Sequence, residues 1–198
     1  MCENMNTREQ IILESLRSFV NEGYEKTSIS LIADKCGMTK GAIYHHFHAK
    51  KDLLEAAIDL FYQDHENWLM KKLAQVQDFR GILSLYFNYH TYTSETGIFS
   101  GGDANVYRLL IDAVRNFPDL KKSLVQRYRD YFSKIKLMIE ETISQGTLKK
   151  EIDPEIITLE LVALFEGFIV MDIMLGEGFI AQEKKEAALD SLWERIRA

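Results

Sequence analysis

One short stretch of this sequence is rich in side chains that bind phosphate groups. Between Lys35 and Lys51 it holds four lysines and three histidines, and it holds no aspartate or glutamate. The chain as a whole is acidic, with 24 basic and 30 acidic residues and a net charge of −6. Positive charge concentrated in one segment of an acidic chain is typical of a surface that contacts a polyanion. We therefore expect a nucleic-acid interface in this stretch.

The elements that would position these side chains are two short helices joined by a glycine turn. Ser28 is placed to cap a helix over 29–36, and Thr39 is placed to cap a second helix over 40–47. Between the two helices, Gly37 can adopt the positive φ of a tight turn. An apolar seam between them is predicted from Ile32, Cys36, Met38 and Ile43. The pattern is typical of a helix-turn-helix, whose second helix enters the major groove of DNA.

The predicted DNA contacts follow from this arrangement. Lys40, Gly41 and Lys50 are expected at phosphates, because cations, a bare glycine and exposed amides at helix amino termini favour a nearby anion. Tyr44 is expected to position the helix on the backbone, and His45 and Ala42 are expected nearer the base edges. The complete predicted DNA-binding set is Thr27, Ser28, Thr39, Lys40, Gly41, Ala42, Tyr44, His45, His46, Lys50 and Lys51.

The same stretch permits two other chemistries, which the residue pattern disfavours. His45, His46 and His48 suggest a metal site, but adjacent helical residues point about 100° apart. No nearby Cys, Asp or Glu completes a ligand set, so we predict neither a metal site nor a cofactor. Cys36 is predicted to act as a small apolar residue in the seam. Redox sensing by this thiol stays an alternative, because the neighbouring Lys35 would favour the thiolate.

Helical periodicity continues through the rest of the chain, and only two prolines interrupt it. The sequence predicts an all-α fold of about nine helices. Beyond the two short ones, they are expected over 8–22, 50–76, 80–92, 104–116, 118–145, 154–175 and 182–197. We predict an amino-terminal three-helix domain with the helix-turn-helix over 1–50. A larger helical domain is predicted over 51–198.

These residues resemble the tetracycline-repressor (TetR) family of bacterial regulators. The family pattern is matched by Thr27-Ser28, Ile32-Ala33, Gly37 and the run 39–47, followed by Lys50 and Leu53. The detailed resemblance covers about the first 55 residues. Two positions depart from it: Ala49 stands where the family has a capping residue, and Lys51 stands where an acid is common. Loss of such a cap costs about 1 kcal/mol.

The resemblance implies how such a protein would work. It implies a homodimer with two amino-terminal DNA-binding heads and two carboxy-terminal ligand pockets. Ligand binding would move the long fourth helix and change the separation of the two recognition helices. The function implied is a cytoplasmic, sequence-specific repressor of transcription. A small hydrophobic or aromatic effector would release it from a pseudo-palindromic operator in double-stranded DNA.

Other classes of protein are disfavoured by the sequence. The longest apolar stretch, 161–175, has 15 residues and includes two acids, so no membrane span is predicted. The amino terminus is polar and does not resemble a secretory signal. No GxSxG, P-loop, dinucleotide or HExxH motif is present, so we predict that the protein is not an enzyme. A helical ligand-binding or scaffold protein stays the alternative.

The carboxy-terminal part supplies candidate ligand and dimer contacts. The segment 156–175 is apolar nearly all round, so it is either a central core helix or a helix shared between the core and a subunit interface. We favour the second, because with the amphipathic 187–196 it would form a two-fold, four-helix interface. A charge at Leu164 or Ile169 is expected to break the dimer or unfold the chain. Within the apolar segment, Glu166 and Asp172 could bind a cation, pair across the dimer or lie at a wet rim, which we favour. Lys184 and Lys185 are expected to be solvated. For any single aromatic residue in this part, packing in the core is the favoured role, but the resemblance implies a ligand pocket here. The residues predicted to line that pocket are Phe61, His65, Trp68, Phe87, Tyr107, Tyr131 and Phe165.

Overall fold

A computed structural model of the chain describes residues 6–76, 78–87, 102–176 and 178–198. Over those ranges it contains nine helices and no strand, which confirms the predicted all-α fold. The predicted continuation of the fifth helix over 88–92 lies outside the described residues. The helices are α1 (Thr7–Glu22), α2 (Ile29–Cys36), α3 (Lys40–His46), α4 (Lys50–Leu73), α5 (Phe79–Phe87), α6 (Gly102–Asn116), α7 (Pro118–Ser144), α8 (Pro154–Leu175) and α9 (Gln182–Ile196).

The chain divides into two compact units. The first comprises residues 1–71 and 90–120, and the second comprises residues 72–89 and 121–198. The first unit therefore contains α1 to α3, nearly all of α4, and α6. The second contains α5, α7 from residue 121 onward, α8 and α9. The predicted domain boundary after residue 50 separates a DNA-binding domain from the rest of the chain. This division by function differs from the division into compact units, and it stays a prediction.

The first unit is built on well-capped helices with one apolar face each. Asn6 and Glu9 form a capping box at the start of α1, in which each side chain accepts a hydrogen bond from the other residue's backbone amide. Gly23 ends α1 with a φ of 85°. Helix α6 packs against α1. The side chains buried in this unit include Ile11, Leu16, Phe19, Ile32, Ile43, Leu53, Leu54, Ile58 and Phe61.

The second unit has its own hydrophobic core. Asp153 caps α8, with its Oδ1 2.8 Å from the amide nitrogen of Glu155, and Pro154 occupies the first turn as the sequence predicts. Burial of apolar side chains from all four helices provides the main stabilisation of the unit. That core consists of Phe79, Leu83, Ile135, Ile139, Leu148, Ile157, Leu161, Val162, Leu189, Leu192 and Ile196.

Helix α8 buries one face in this unit and exposes another that is almost equally apolar. Ile169 is 3% exposed, and Leu164 packs against the core of the second unit. Ile169 is therefore a core residue of the chain itself, whereas Leu164 is only half-buried, and a dimer interface that includes them stays a prediction. The exposed apolar side chains of α8 are Ile156, Leu159, Val170, Met171, Met174 and Leu175, here called the α8 stripe.

None of the described helices is long and apolar enough to cross a lipid bilayer.

Candidate nucleic-acid interface and ligand cavity

The predicted helix-turn-helix is present in the first unit. The Ser28 hydroxyl accepts a hydrogen bond from the Leu31 amide over 3.1 Å, which caps α2. Gly37 ends α2 in the left-handed region with a φ of 66°, as the turn requires. The next amide, that of Met38, donates to the Ala33 carbonyl over 2.9 Å, which closes the turn. The local sequence thus produces the turn without distant contacts.

Helix α3 presents its amino-terminal turn to solvent. Thr39 caps it by accepting a hydrogen bond from the Ala42 amide over 3.2 Å. Lys40, Gly41 and His45 are exposed, while Ala42 is half-buried. On the opposite side of the helix, Ile43 is fully buried and so anchors the exposed turn to the core. The open amides of this turn, the positive end of the helix dipole and the lysine together favour an anion.

A Cβ on Gly41 would meet only one atom within 4 Å, the Thr39 Oγ1 at 3.8 Å. The packing of the protein itself therefore leaves room for a side chain at this position. Glycine inside a helix is about 1 kcal/mol less favourable than alanine. The absent side chain is consistent with close approach of a molecule outside the chain.

Thr27 has a structural role in this geometry. Its side chain is 1% exposed, and its hydroxyl lies 2.9 Å from the Gly23 carbonyl and 3.1 Å from the Ser18 carbonyl. The predicted DNA contact by the Thr27 side chain is not supported, because the hydroxyl fixes the loop between α1 and α2. Ser28, the next residue, is exposed.

The lysines near the predicted interface have different surroundings. The Lys35 ammonium is 2.5 Å from a Glu22 carboxylate oxygen and 3.1 Å from the Ser18 hydroxyl, so it faces α1. Lys40 is exposed on α3, whereas Lys50 and Lys51 are half-buried at the start of α4. The positive charge predicted from the sequence is thus divided between a partly exposed ion pair with α1 and the candidate interface.

The start of α4 has a cap that the sequence analysis missed. Ala49 cannot cap the helix with its side chain, but one Asp52 carboxylate oxygen accepts hydrogen bonds from the amides of His48 and Ala49, each over 3.0 Å. An acid in the first turn also interacts favourably with the helix dipole. The sequence does contain a signal for this cap. Asp52 is three residues after Ala49, the cap position, and an acid at that spacing can accept a hydrogen bond from the backbone amide of the cap residue.

The surroundings of Cys36 and the histidines favour neither a reactive thiol nor a metal site. Cys36 is buried, and burial, with a smaller contribution from the Glu14 carboxylate, raises the pKa of its thiol. A raised pKa disfavours the reactive thiolate, which agrees with a packing role. The His45 and His46 rings lie 5.2 Å apart and nearly perpendicular. In the described part of the chain, no group of three or more His, Cys, Asp or Glu side chains is arranged to hold a metal ion.

The residues predicted to bind a ligand fall in both units. In the first unit, the His65 ring stacks 6.3 Å from the Phe61 ring and 6.1 Å from the Trp68 ring, and Tyr107 is half-buried. In the second unit, Tyr131 and Phe165 line a small cavity of about 10 Å³. The side chain of Phe87 lies outside the described residues.

The other residues around the cavity were not singled out by the sequence. They are Leu83, Ile135, Met138, Leu161 and Val162. Nothing in the sequence distinguishes these side chains from their neighbours in the core, because both have the helical spacing of buried positions. The lining is almost entirely apolar, and the volume is about that of a single water probe.

Comparison with known proteins supports the assignment of the amino-terminal unit. Residues 11–57 match the family described as "Bacterial regulatory proteins, tetR family". The chain is 24% identical over 182 residues to the HTH-type transcriptional regulator TtgR of Pseudomonas putida, an alignment that covers 88% of this chain and 84% of TtgR. Both matches include the helix-turn-helix.

Two solved structures show the same fold over the whole chain. One is a TetR-family transcriptional regulator from Cytophaga hutchinsonii, with a TM-score of 0.83, 20% identity and 99% coverage of both chains. The other is SmeT in complex with triclosan, with a TM-score of 0.76, 20% identity, and coverage of 97% of this chain and 92% of SmeT. The helical order predicted beyond residue 55 is therefore part of the fold that these two structures share with this chain.

Proposed function

We propose that the chain is a DNA-binding transcriptional regulator of the TetR family and that it acts as a cytoplasmic, homodimeric repressor. In this proposal the dimer binds a pseudo-palindromic operator in double-stranded DNA, and a small hydrophobic or aromatic effector releases it. The observation that carries the proposal is the exposed first turn of α3, where Thr39, Lys40 and Gly41 present a cap, a cation and open backbone. Tyr44 and His45 extend that exposed surface along the helix.

The proposed contacts are with the DNA backbone and the base edges. Lys40, Lys50 and the α3 amides would neutralise or bind phosphates, which fixes the position of the helix without reading sequence. His45 and Ala42 would lie in the major groove, where each base pair presents a distinct pattern of donors and acceptors. A dimer places two such helices on half-sites about 34–36 Å apart.

The α8 stripe supports a dimer. Four of its six side chains, at 156, 159, 170 and 174, lie along one side of the helix. Exposed apolar side chains grouped on one side of a helix favour an interaction site. We assign a second copy of the chain as the partner, with α8 and α9 of both subunits forming the interface. An isologous contact would place the stripe against itself.

The cavity in the second unit supports an apolar effector. Its lining offers a ligand almost no charged or polar partner, and burying an unpaired charge there would be very costly. At about 10 Å³ it is far smaller than the roughly 300 Å³ or more of a ligand pocket. An effector must therefore separate α5, α7 and α8 as it enters, and that movement is what would shift the DNA-binding equilibrium. SmeT binds triclosan, which is a small aromatic molecule.

The test begins with duplexes selected from a random library by the full-length chain. Fluorescence anisotropy with a selected duplex, at several salt concentrations, should give binding at least about 1,000-fold tighter than to a scrambled duplex. The logarithm of affinity should fall steeply with the logarithm of salt concentration. Triclosan, added as a probe, should release the protein from the selected duplex. Equal binding to selected and scrambled duplexes would refute sequence-specific recognition and favour the helical ligand-binding protein instead.

One variant pair tests the phosphate role within the same assay. Lys50→Ala should weaken binding to all duplexes similarly and lower the salt slope by about one per subunit. Lys184→Ala, which removes an exposed lysine from α9, is the matched control and should change neither quantity. A changed base preference with an unchanged slope in Lys50→Ala would contradict the phosphate contact.

A further inference from the structure

The corner between α6 and α7, residues 117–119, lies beside the two adjacent lysines at the start of α4. The Phe117 ring meets the Tyr24 ring edge-on, with the ring centres 5.2 Å apart and the planes at 80°. The Lys50 ammonium lies 4.1 Å from the centre of that Tyr24 ring. The Lys51 ammonium lies 3.3 Å from an Asp119 carboxylate oxygen. One corner of the fold therefore supports both lysines, although it is outside the segment 11–57 that matches the family.

The two lysines are held by contacts of different kinds. The Tyr24 ring attracts the Lys50 ammonium through its quadrupole, and the Glu25 carbonyl oxygen is 3.4 Å from the same nitrogen. Neither partner carries a negative charge. The attraction between the Lys50 ammonium and a phosphate is therefore not weakened by a neighbouring anion. The Lys50 side chain is also ordered in advance, which lowers the entropy cost of binding.

Lys51 is held by groups that compete with phosphate. The carboxylates of Asp119 and Glu55 each lie 3.3 Å from its ammonium, and they raise the pKa of the Lys51 side chain. A phosphate oxygen would have to replace at least one of these anions. Exposed ion pairs of this kind contribute little free energy, so the competition is one that DNA can overcome.

We propose that Phe117 and Asp119 are positioning residues that set DNA affinity in opposite directions. Phe117 strengthens binding, because it supports the Tyr24 ring on which Lys50 rests. Asp119 weakens binding, because it holds Lys51 away from the phosphate backbone. The inference rests on the proposed DNA-binding function and adds two residues from the α6–α7 corner to it.

The first experiment measures the affinity of Asp119→Asn for a duplex that the wild-type full-length chain has selected from a random library. We expect binding about threefold tighter per DNA-binding head, as an exposed ion pair of this strength allows. Asp112→Asn is the matched control, since it neutralises an exposed acid on α6 in the same unit. That variant should bind as the wild type does. Circular dichroism and thermal melting check that each variant is folded.

A double-mutant cycle separates the specific contact from a general change of charge. In a Lys51→Ala background, Asp119→Asn should no longer change affinity, because there is no ammonium left to release. If Asp119→Asn tightens binding equally in both backgrounds, Asp119 acts through the overall field and the inference is wrong. An unchanged affinity in the wild-type background would also overturn it.

A second cycle tests the aromatic arm. Phe117→Leu keeps an apolar side chain but removes the ring, and it should weaken binding about twofold to threefold. The same substitution in a Lys50→Ala background should have no further effect on affinity or on the salt slope. A loss of equal size in both backgrounds would show that Phe117 is only a packing residue. If the wild type itself does not discriminate between selected and scrambled duplexes, the proposed function fails together with this inference.

Discussion

The Lys185 ammonium of α9 lies 2.6 Å from a carboxylate oxygen of Asp172 on α8, and both side chains are buried, at 6% and 5% exposed. The expectations of a wet rim for Asp172 and a solvated surface for Lys185 are both wrong. The pair connects two helices that the apolar core also holds together. The Phe168 ring, 5.9 Å from the same ammonium, adds a cation–π contact. Burial of either charge depends on the other.

Removing one member of this pair should destabilise the chain strongly. Lys185→Met leaves the Asp172 carboxylate buried without its partner, so we expect a loss of about 3–5 kcal/mol in the free energy of unfolding. The double variant Asp172→Leu with Lys185→Met should recover most of that loss, because no buried charge remains. Urea denaturation of the three proteins measures both quantities. A double variant as unstable as the single one would show that packing, rather than charge, sets the cost.

Gly41→Ala should separate stability from DNA binding. A Cβ at this position meets only Thr39 Oγ1 at 3.8 Å, so we expect the free energy of unfolding to rise by up to about 1 kcal/mol. The same methyl group should obstruct the close approach of phosphate to α3 and weaken binding about tenfold. Thermal melting and anisotropy on one protein preparation give the two values. A more stable variant with unchanged affinity would place Gly41 away from the DNA.

The α8 stripe predicts a dimer that one charge can disrupt. Leu159, on the stripe, and Leu137, on α7, are leucines of the second unit that are 54% and 63% exposed. Leu159→Glu should produce monomers in light scattering or sedimentation at micromolar concentration, because it buries an unpaired charge in the interface. Leu137→Glu is the matched control and should stay dimeric. The same oligomeric state for both variants would contradict the assigned interface.

The buried thiol of Cys36 predicts a dependence of stability on pH. Its pKa is raised above the ordinary value of 9.0 by burial, so the folded state holds the proton more tightly than the unfolded chain does. The stabilisation is complete below that pH and is lost as pH rises through the higher folded value. Urea unfolding at pH 7 and pH 10 should therefore show a larger fall for the wild type than for Cys36→Val. Equal falls would show that the thiol does not titrate differently in the two states.

Much of the DNA-binding head could be predicted because its determinants are local. Ser28, Thr39 and Gly37 act on backbone groups only a few residues away, and the structure shows both caps and the positive φ. The buried residues Ile32 and Ile43 follow from helical spacing alone. The internal role of Thr27 could not be predicted in the same way. Its hydroxyl donates hydrogen bonds to the carbonyls of Ser18, on α1, and Gly23, in the loop that follows.

The carboxy-terminal part was less predictable because its apolar residues have more than one possible partner. Composition showed that α8 is apolar nearly all round, but not which face its own unit buries. Ile169 and Leu159 look alike in the sequence, yet the structure buries the first and exposes the second. Lys185 and Lys184 are likewise adjacent and identical, and only the position of Asp172 decides which of them is buried.

The sequence by itself thus determined the helices, the helix-turn-helix and the place of the basic segment. Each of these depends on interactions within a few residues of the chain. Only the tertiary structure decided that Thr27 is internal, that Asp172 pairs with Lys185, and that Phe117 and Asp119 lie beside the lysines of α4. These relationships join residues separated along the chain by 9 to 93 positions, and packing selects among the many partners available at such distances.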